Sequence, residues 1–323
     1  MQNKENTQLV SVIIVNFNTH KNLKNCLDSI YLYKKNVNLE IIVTDNNSTD
    51  REIEKFVNYF PEVSFNFRNV NDGFASGCNY AAERANGKYL LFMNPDVEIK
   101  NSSLELLIDY LEKNENTGIV SGVMHDDKDN ILYFYNDFPS ESWELSLLMS
   151  GIVQKKIYNL NARTEIKKQL NFEVDWFHGA FIFIRKTDFE KAGKFNEEYF
   201  MYYEDVELCF KVKNNLRKKN VCIPDFTYYH STKSSLAKEV SDDIYIFHLN
   251  RSKLLFIRNY NFFKRNILYL ISLTNVISRI LLLPFWKKYN GIKREKFFQL
   301  MKILKLYFSN SYLLSSKFEF IKK

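Results

Sequence analysis

Three groups of polar residues in this chain have the types and spacing to do chemistry. The first stands at the end of an apolar run. In "GKYLLFMNPDVEI" (Gly87 to Ile99), Tyr89 to Asn94 read as a buried strand, Pro95 stops it and Asp96 follows. A carboxylate fixed at a strand end suits a divalent cation. Mg²⁺ or Mn²⁺ takes hard oxygen ligands, one or two from carboxylates and the others from phosphate and water. The second group repeats that placement. Asn16 and Asn18 close the first strand, Asp45-Asn46-Asn47 the second, and Asn71, Asp72 and Gly73 follow the third. His230 closes the last strand, either as a second metal ligand or as a structural histidine. Asn and Asp also form ordinary turns. Four consecutive strands ending this way point instead to one crevice at the carboxyl edge of a parallel sheet. Carboxylates there repel a pyrophosphate, and a cation resolves the repulsion. The third group is Glu204-Asp205 in "FMYYEDVELCF". Apolar rings raise a neighbouring carboxylate's pKa and favour proton acceptance. The competing reading is acids placed at a helix N-terminus by the macrodipole.

Such groups need a rigid frame, and the pattern predicts one. "LVSVIIVNFN", "LEIIVTDNNSTD", "VSFNFRNV" and "KYLLFMNPD" are strand-like, with helical stretches between them. Continuous apolar strands alternating with helices predict an α/β fold, a mostly parallel sheet covered by helices on both faces. "REIEKFVNYFP" predicts a helix closed by Pro61, and "SSLELLIDYLEKN" one capped by Ser102 or Ser103. "GIVSGVMHD" predicts a strand, residues 126–172 an irregular insertion, and "VDWFHGAFIFIRKTDFEKAG" a strand and then a helix. A helix opening near Glu204 and the strand "VCIPDFTYYHS" complete the series. No G-x-G-x-x-G follows the first strand and no P-loop pattern occurs, so the usual phosphate cradles are missing.

The 323 residues, 46% of them hydrophobic, are enough for one large α/β domain and a smaller part. Cys26, Cys78, Cys209 and Cys222 lie far apart with no metal-ligand spacing, and are read as reduced core thiols of a cytosolic protein. The polar start "MQNKENTQLV" lacks the character of a secretory signal. Charge is divided unevenly. Residues 251–323 hold sixteen Lys and Arg against two acids, a balance of +14, whereas residues 1–250 balance at −7. The expected organisation is a catalytic domain over 1–250 and a basic amphipathic helical tail over 251–323.

A basic tail seeks an anionic partner. No reader module accompanies the charge, which argues against nucleic acid. "NILYLISLTNVISRILLLPFW" (Asn266 to Trp286) has about the ~20 residues that span a bilayer. Asn275 and Arg279 oppose spanning, because arginine at a helix centre costs ~2.5–3.5 kcal/mol. Ser272, Asn275 and Arg279 share one helical face, so a helix lying in the surface is expected. Phe297, Leu300, Met301, Leu304 and Phe308 form a second apolar stripe beside lysines, as on helices that lie on anionic lipid. The alternatives are a tail packed on the catalytic domain and a true span.

Taken in order, "VSVIIVNFN", "EIIVTDNNSTD", "NDGFASGCNYA", "YLLFMNPDVEI", "DWFHGAFIFIRK" and "FNEEYFMYYEDVELCFKVK" resemble family 2 inverting glycosyltransferases of the GT-A fold. The similarity is greatest to the rhamnosyltransferase-like branch and covers roughly residues 9–235. The resemblance implies a nucleotide-sugar half over about 9–100 and an acceptor half over about 101–250. It implies that Asp45, near Asn16, contacts the nucleotide base, and that the turn from Asn71 through Gly73 lies against the nucleotide. Asp96 matches the metal carboxylate of the family's D-x-D motif, with Asn94 standing where many members have the first Asp. Asp205 matches the catalytic base, Trp176, His178 and Gly179 an acceptor-lining region that Glu204 adjoins, and His230 a histidine near the diphosphate or metal.

The implied reaction moves a sugar, rhamnose among the candidates, from a dTDP- or UDP-linked donor to a hydroxyl of a glycan or lipid-linked saccharide. It would proceed with inversion and divalent metal, in bacterial surface polysaccharide synthesis, at the inner face of the cell membrane. The alternatives are a sugar nucleotidyltransferase, whose glycine-rich first loop is replaced here by "VNFNTHKN", and a non-catalytic scaffold, against which the presence of both Asp96 and Asp205 argues.

Overall fold

The computed structural model describes residues 9–49, 52–100, 103–142, 144, 145, 166, 170–231 and 242–308. The first half alternates as the pattern predicts. β1 (Val10–Asn16), α1 (His20–Tyr33), β2 (Leu39–Asp45), α2 (Phe56–Tyr59), β3 (Val63–Phe67), α3 (Phe74–Ala82) and β4 (Tyr89–Met93) follow one another. All seven residues of β1 and all five of β4 are buried. Burial of both alternating faces requires cover on each side of the sheet. α1 supplies part of it by burying Leu23, Cys26, Leu27 and Ile30, one turn apart on one face. The segment before Pro61 is shorter than a full helix: a 3-10 turn, Glu52–Lys55, runs into the four residues of α2.

The second half is less regular. It comprises β5 (Val97–Ile99), α4 (Leu104–Lys113), β6 (Thr117–His125), β7 (Tyr135–Asn136), β8 (Phe172–Val174), β9 (Trp176–Phe177), β10 (Phe181–Arg185), α5 (Lys186–Lys191), α6 (Glu204–Asn214) and β11 (Lys219–His230). The main sheet runs β3-β2-β1-β4-β10-β6-β11-β5, with β8 also on β11. Ladders β1–β2, β1–β4, β2–β3 and β6–β11 are parallel. β10 lies antiparallel between β4 and β6, and β5 antiparallel on β11. Because β10 is reversed, its amino end shares an edge with the carboxyl ends of β1, β2 and β4. Two features differ from expectation. Pro95 does not end pairing, since β5 resumes at Val97, and "VDWFHGAFIFIR" forms two strands broken at 178–180. Ser103 caps α4, accepting from the Glu105 N–H at 3.3 Å, while Ser102 lies outside the described residues.

Within residues 126–172, β7 pairs with β9; residues 143, 146–165 and 167–169 lie outside the described residues. All four cysteines are buried free thiols, as expected. The tail holds α7 (Asp242–Phe256), α8 (Phe262–Leu282) and α9 (Lys293–Phe308). α7 crosses residue 250 without a break and packs Leu255 and Phe256 against Tyr199 and Val206. α8 and α9 pair around Leu268, Val276, Ile303 and Leu306. α9 buries Gln299, Ile303, Leu306 and Tyr307, leaving Phe297 and Phe308 of the expected stripe exposed.

Candidate active site

The predicted residues gather along one sheet edge. Asn16 and Asp45 are paired in register across β1 and β2, and the Asn16 Nδ2 donates to Asp45 Oδ1 at 2.7 Å. Asp45 also accepts from the Ser48 N–H at 2.9 Å and the Ser48 hydroxyl at 2.6 Å. This carboxylate is 5% exposed and fixed by neutral donors. Beside it, Asn71 Oδ1 accepts from the Gly73 N–H at 3.1 Å, and the Asn46 amide donates to the Gly73 carbonyl at 2.9 Å. Gly73 has φ +97°, and a Cβ there would stand 2.1 Å from the Phe200 carbonyl oxygen. Only glycine allows both that dihedral and that approach. The turn is thereby locked to the segment leading to Glu204 and Asp205.

At the end of β4, Asn94 donates its N–H to the Ala180 carbonyl at 3.0 Å and accepts from the Val97 N–H at 3.2 Å. That tight turn presents Asp96, 8% exposed, to His230 at the end of β11, with Oδ1 and Nε2 3.4 Å apart. Burial pushes the Asp96 carboxyl up, opposed by the His230 charge. Among the described residues no cluster of three metal-type side chains forms. A carboxylate and an imidazole are two hard-to-borderline donors. They fit a Mg²⁺ or Mn²⁺ ion that takes its other ligands from phosphate and water.

Asp205 occupies the first turn of α6 and is 7% exposed. Its Oδ2 accepts from the Gly179 N–H at 2.6 Å and its Oδ1 from the Val206 N–H at 2.7 Å. Burial raises its pKa to about 6, and these two donors restrain the rise. Neighbouring Glu204 is pushed well above the carboxylate range, first by burial and then by the Asp205 charge. The Glu204 charge adds to burial in raising the Cys78 thiol of α3. Its Oε2 is buried with no hydrogen-bond partner. Tyr202 and Tyr203 precede the pair with φ of 67° and 70°, values uncommon for bulky residues. α6 therefore begins abruptly, without a capping side chain.

The two carboxylates Asp96 and Asp205 are joined through a continuous series of contacts. Asp96 meets His230, whose ring lies 6.1 Å from that of His178, and His178 precedes the Gly179 N–H bound to Asp205. His178 Nδ1 accepts from the Ala180 N–H at 3.2 Å; burial, then the His230 charge, lower its pKa to about 4. Trp176 lies farther out, its Nε1–H donating to the Asp137 carbonyl at 3.0 Å. A cavity of about 50 Å³ is lined by Trp176, Asn136, Asp137, Pro139, Tyr203 and Val206. Burial, then Asp175, raise the Asp137 carboxyl beside it. The acidic residue lining this cavity is thus Asp137, to which no sequence pattern pointed.

Sequence reasoning also missed Arg68. Its guanidinium donates to Asn46 Oδ1 at 3.1 Å, Asp72 at 3.1 Å and Ser76 at 3.2 Å, tying β3 to the glycine turn. A basic residue one position past a strand was the available signal, but its partners come from the end of β2, the glycine turn and the first turn of α3.

This geometry can be set beside known proteins. Residues 11–193 match the family model "Glycosyl transferase family 2", and the chain belongs to that family. It is 25% identical over 218 residues to the low-salt glycan biosynthesis hexosyltransferase Agl10 of Haloferax volcanii, covering 66% of this chain and 63% of that one. It is also 25% identical over 220 residues to the N-acetylglucosaminyl-diphospho-decaprenol L-rhamnosyltransferase of Mycobacterium tuberculosis, covering 62% of this chain and 69% of that one. Among solved structures, S. aureus TarS 1-349 in complex with UDP-GlcNAc matches with TM-score 0.55 at 15% identity, over 92% of this chain and 80% of that one. That likeness establishes the GT-A type of fold.

Proposed function

We propose that this protein transfers a sugar from a nucleoside-diphosphate sugar to an acceptor hydroxyl with inversion at the anomeric carbon. The observation that carries the reading is Asp205: a buried carboxylate with its pKa raised to about 6, gripped by the Gly179 N–H and connected through His178 and His230 to Asp96. A base near neutral is matched to taking a hydroxyl proton while remaining ionised. Asp205 takes that proton as the acceptor oxygen bonds to the anomeric carbon. The bond from that carbon to the diphosphate breaks, and its electron pair leaves with the phosphate oxygen. Attack from the opposite face inverts the configuration. Only one carboxylate is needed at the nucleophile, unlike the carboxyl pair of glycosidases.

In this reading Asn16, Asp45, Asn71, Gly73 and Asn94 hold the nucleotide, with Asp96 at its diphosphate. Trp176, His178, Gly179 and Glu204 face the acceptor. Asp96 and His230 would hold Mg²⁺ or Mn²⁺, which when bound neutralises charge on a departing diphosphate. The donor is a dTDP- or UDP-linked sugar, and the similarity to a rhamnosyltransferase supports rhamnose. The acceptor is a glycan or a lipid-linked saccharide in surface polysaccharide synthesis, supported by that relative's decaprenol-linked name. Residues 1–250 would carry the reaction, and residues 251–323 would associate peripherally with the inner face of the cell membrane. The test is Asp205→Asn. Calorimetry with Mn²⁺ and UDP or dTDP should give unchanged affinity, whereas transfer falls by roughly 10²–10⁴-fold. Near-normal turnover in that variant refutes the assignment.

A further inference from the structure

α8 has two unlike sides. Along 21 residues it buries Ser272 and Asn275 together with Leu268 and Val276, which pack on α9. Ser272 donates to Glu144 at 2.8 Å, and Lys253 of α7 pairs with the same carboxylate at 3.0 Å. Glu144 lies beyond Pro139, on the segment that lines the cavity beside Trp176. Asn275 Oδ1 accepts from the Arg279 Nε–H at 3.0 Å on that inner side. The outer side carries the large apolar groups. Phe263 is 77% exposed, Leu270 60%, Leu281 66% and Phe285 79%. With Ile267 and Ile277 the three α8 residues recur at helical spacing, and Phe285 follows in a 3-10 turn, Leu283–Phe285. Exposed apolar stripes of this extent mark interaction sites.

The surrounding charge selects the partner. Residues 251–323 balance at +14 and residues 1–250 at −7. An anionic surface attracts the first and repels the second. A second copy of the chain would bring like charges together. Crossing a bilayer would strip the Ser272–Glu144 contact and carry Asn275 and Arg279 into hydrocarbon. We propose that the outer stripe of α8, from Phe263 to Leu281, with Phe285 of the turn that follows, seats in the headgroup–acyl boundary of an anionic membrane with the helix in the membrane plane. The inner polar face then stays on Glu144, which sets the acceptor-side segment against the lipid surface. This inference rests on the reading of residues 251–323 as membrane-associating and deepens it to a surface.

Flotation of the full chain tests it, with vesicles of phosphatidylcholine alone or containing roughly one-third phosphatidylglycerol. The protein should rise with the anionic vesicles only, and less so in high salt. The triple variant Phe263→Ser/Leu270→Ser/Phe285→Ser should lose partitioning at least ~10-fold. Its melting temperature and UDP affinity should be unchanged, because these side chains are exposed. Failure of the wild type to float, or equal flotation of the triple variant, overturns the proposal. So does resistance to alkaline carbonate extraction, which means a span, or a lipid-free dimer that the triple variant abolishes. UDP affinity in lipid-free solution is read in parallel. A wild type that binds neither UDP nor dTDP would count against the transferase reading and leave the surface standing.

Discussion

β10 has a buried aspartate at each end, and the two are treated in opposite ways. Past its carboxyl end, Asp188 is 3% exposed and meets two cations: Lys218 at 2.7 Å and Arg185 at 3.3 Å. At its amino end, Asp205 of α6 is 7% exposed, accepts from the N–H groups of Gly179 and Val206, and pairs with no cation among the described residues. Residue type and burial are the same. The first carboxylate is neutralised and holds α5 to the sheet. The second is left uncompensated and its pKa rises to about 6. A buried charge without a counter-ion destabilises a fold, so its retention points to use rather than support.

The contrast breaks if both aspartates behave alike on substitution. Asp205→Asn should lower turnover by roughly 10²–10⁴-fold, the largest effect expected. It should also raise stability at pH 8. A raised folded pKa means that the group's stabilising contribution is complete below the unfolded value near ~3.9 and is lost as pH rises through about 6. The stability difference between variant and wild type should therefore open between pH 4 and 6 and persist above. Denaturant midpoints across that range would show it. Asp188→Asn should do the reverse. Lys218 would lose its buried partner, at a cost of about 3 kcal/mol. Arg185 still donates to the Thr117 carbonyl at 2.6 Å. Turnover per folded molecule should be unchanged, and a drop comparable with that of Asp205→Asn would remove the distinction.

A pH profile sharpens the same comparison. Below about pH 6 the proton sits on Asp205, so turnover should fall about tenfold per unit as pH drops. Neighbouring Glu204 is also pushed upward, by burial and by the Asp205 charge. In Asp188→Asn the inflection should stay in place. A profile flat from pH 4.5 to 7 would exclude Asp205 as the titrating base.

The two ends of β10 differed in how far their sequence could be read. The Glu204-Asp205 pair follows four residues of aromatic or sulfur type, and Asp96 stands just past an apolar strand, so both sites carry local signals. The Asn16–Asp45 pairing follows from two similar strands whose polar ends align in register. Other features depend on contacts distant in the chain. That β10 inserts antiparallel between β4 and β6 is a long-range pairing choice, and at the break at 178–180 the Gly179 N–H meets Asp205 from a distant helix. Arg68 is functional-looking only once Asn46, Asp72 and Ser76 surround it. The polar face of α8 reads from its spacing as a water-facing side. Ser272 and Asn275 are instead buried, and Glu144, 128 residues earlier, accepts from Ser272.

The smallest effects come from the neighbours rather than the aspartates. Gly179→Ala would place a Cβ 3.2 Å from Asp205 Oδ2 and 3.3 Å from its Cβ. Those contacts are tight without being impossible, so the carboxylate must yield by a few tenths of an ångström. A misplacement of about 1 Å in a reacting constellation costs about 10²-fold, so a shift of this size should lower turnover by roughly tenfold or less. Donor affinity and melting temperature should hardly move. At the other end, Lys218→Met keeps the stem that packs beside Gly118 and removes only the ammonium, whose side chain is 25% exposed. Arg185 remains on Asp188, so about 1–2 kcal/mol of stability should be lost with turnover intact. Each neighbour would then move only the quantity its own aspartate controls. If Gly179→Ala lowered stability and spared turnover, Asp205 would belong with Asp188 as a structural carboxylate.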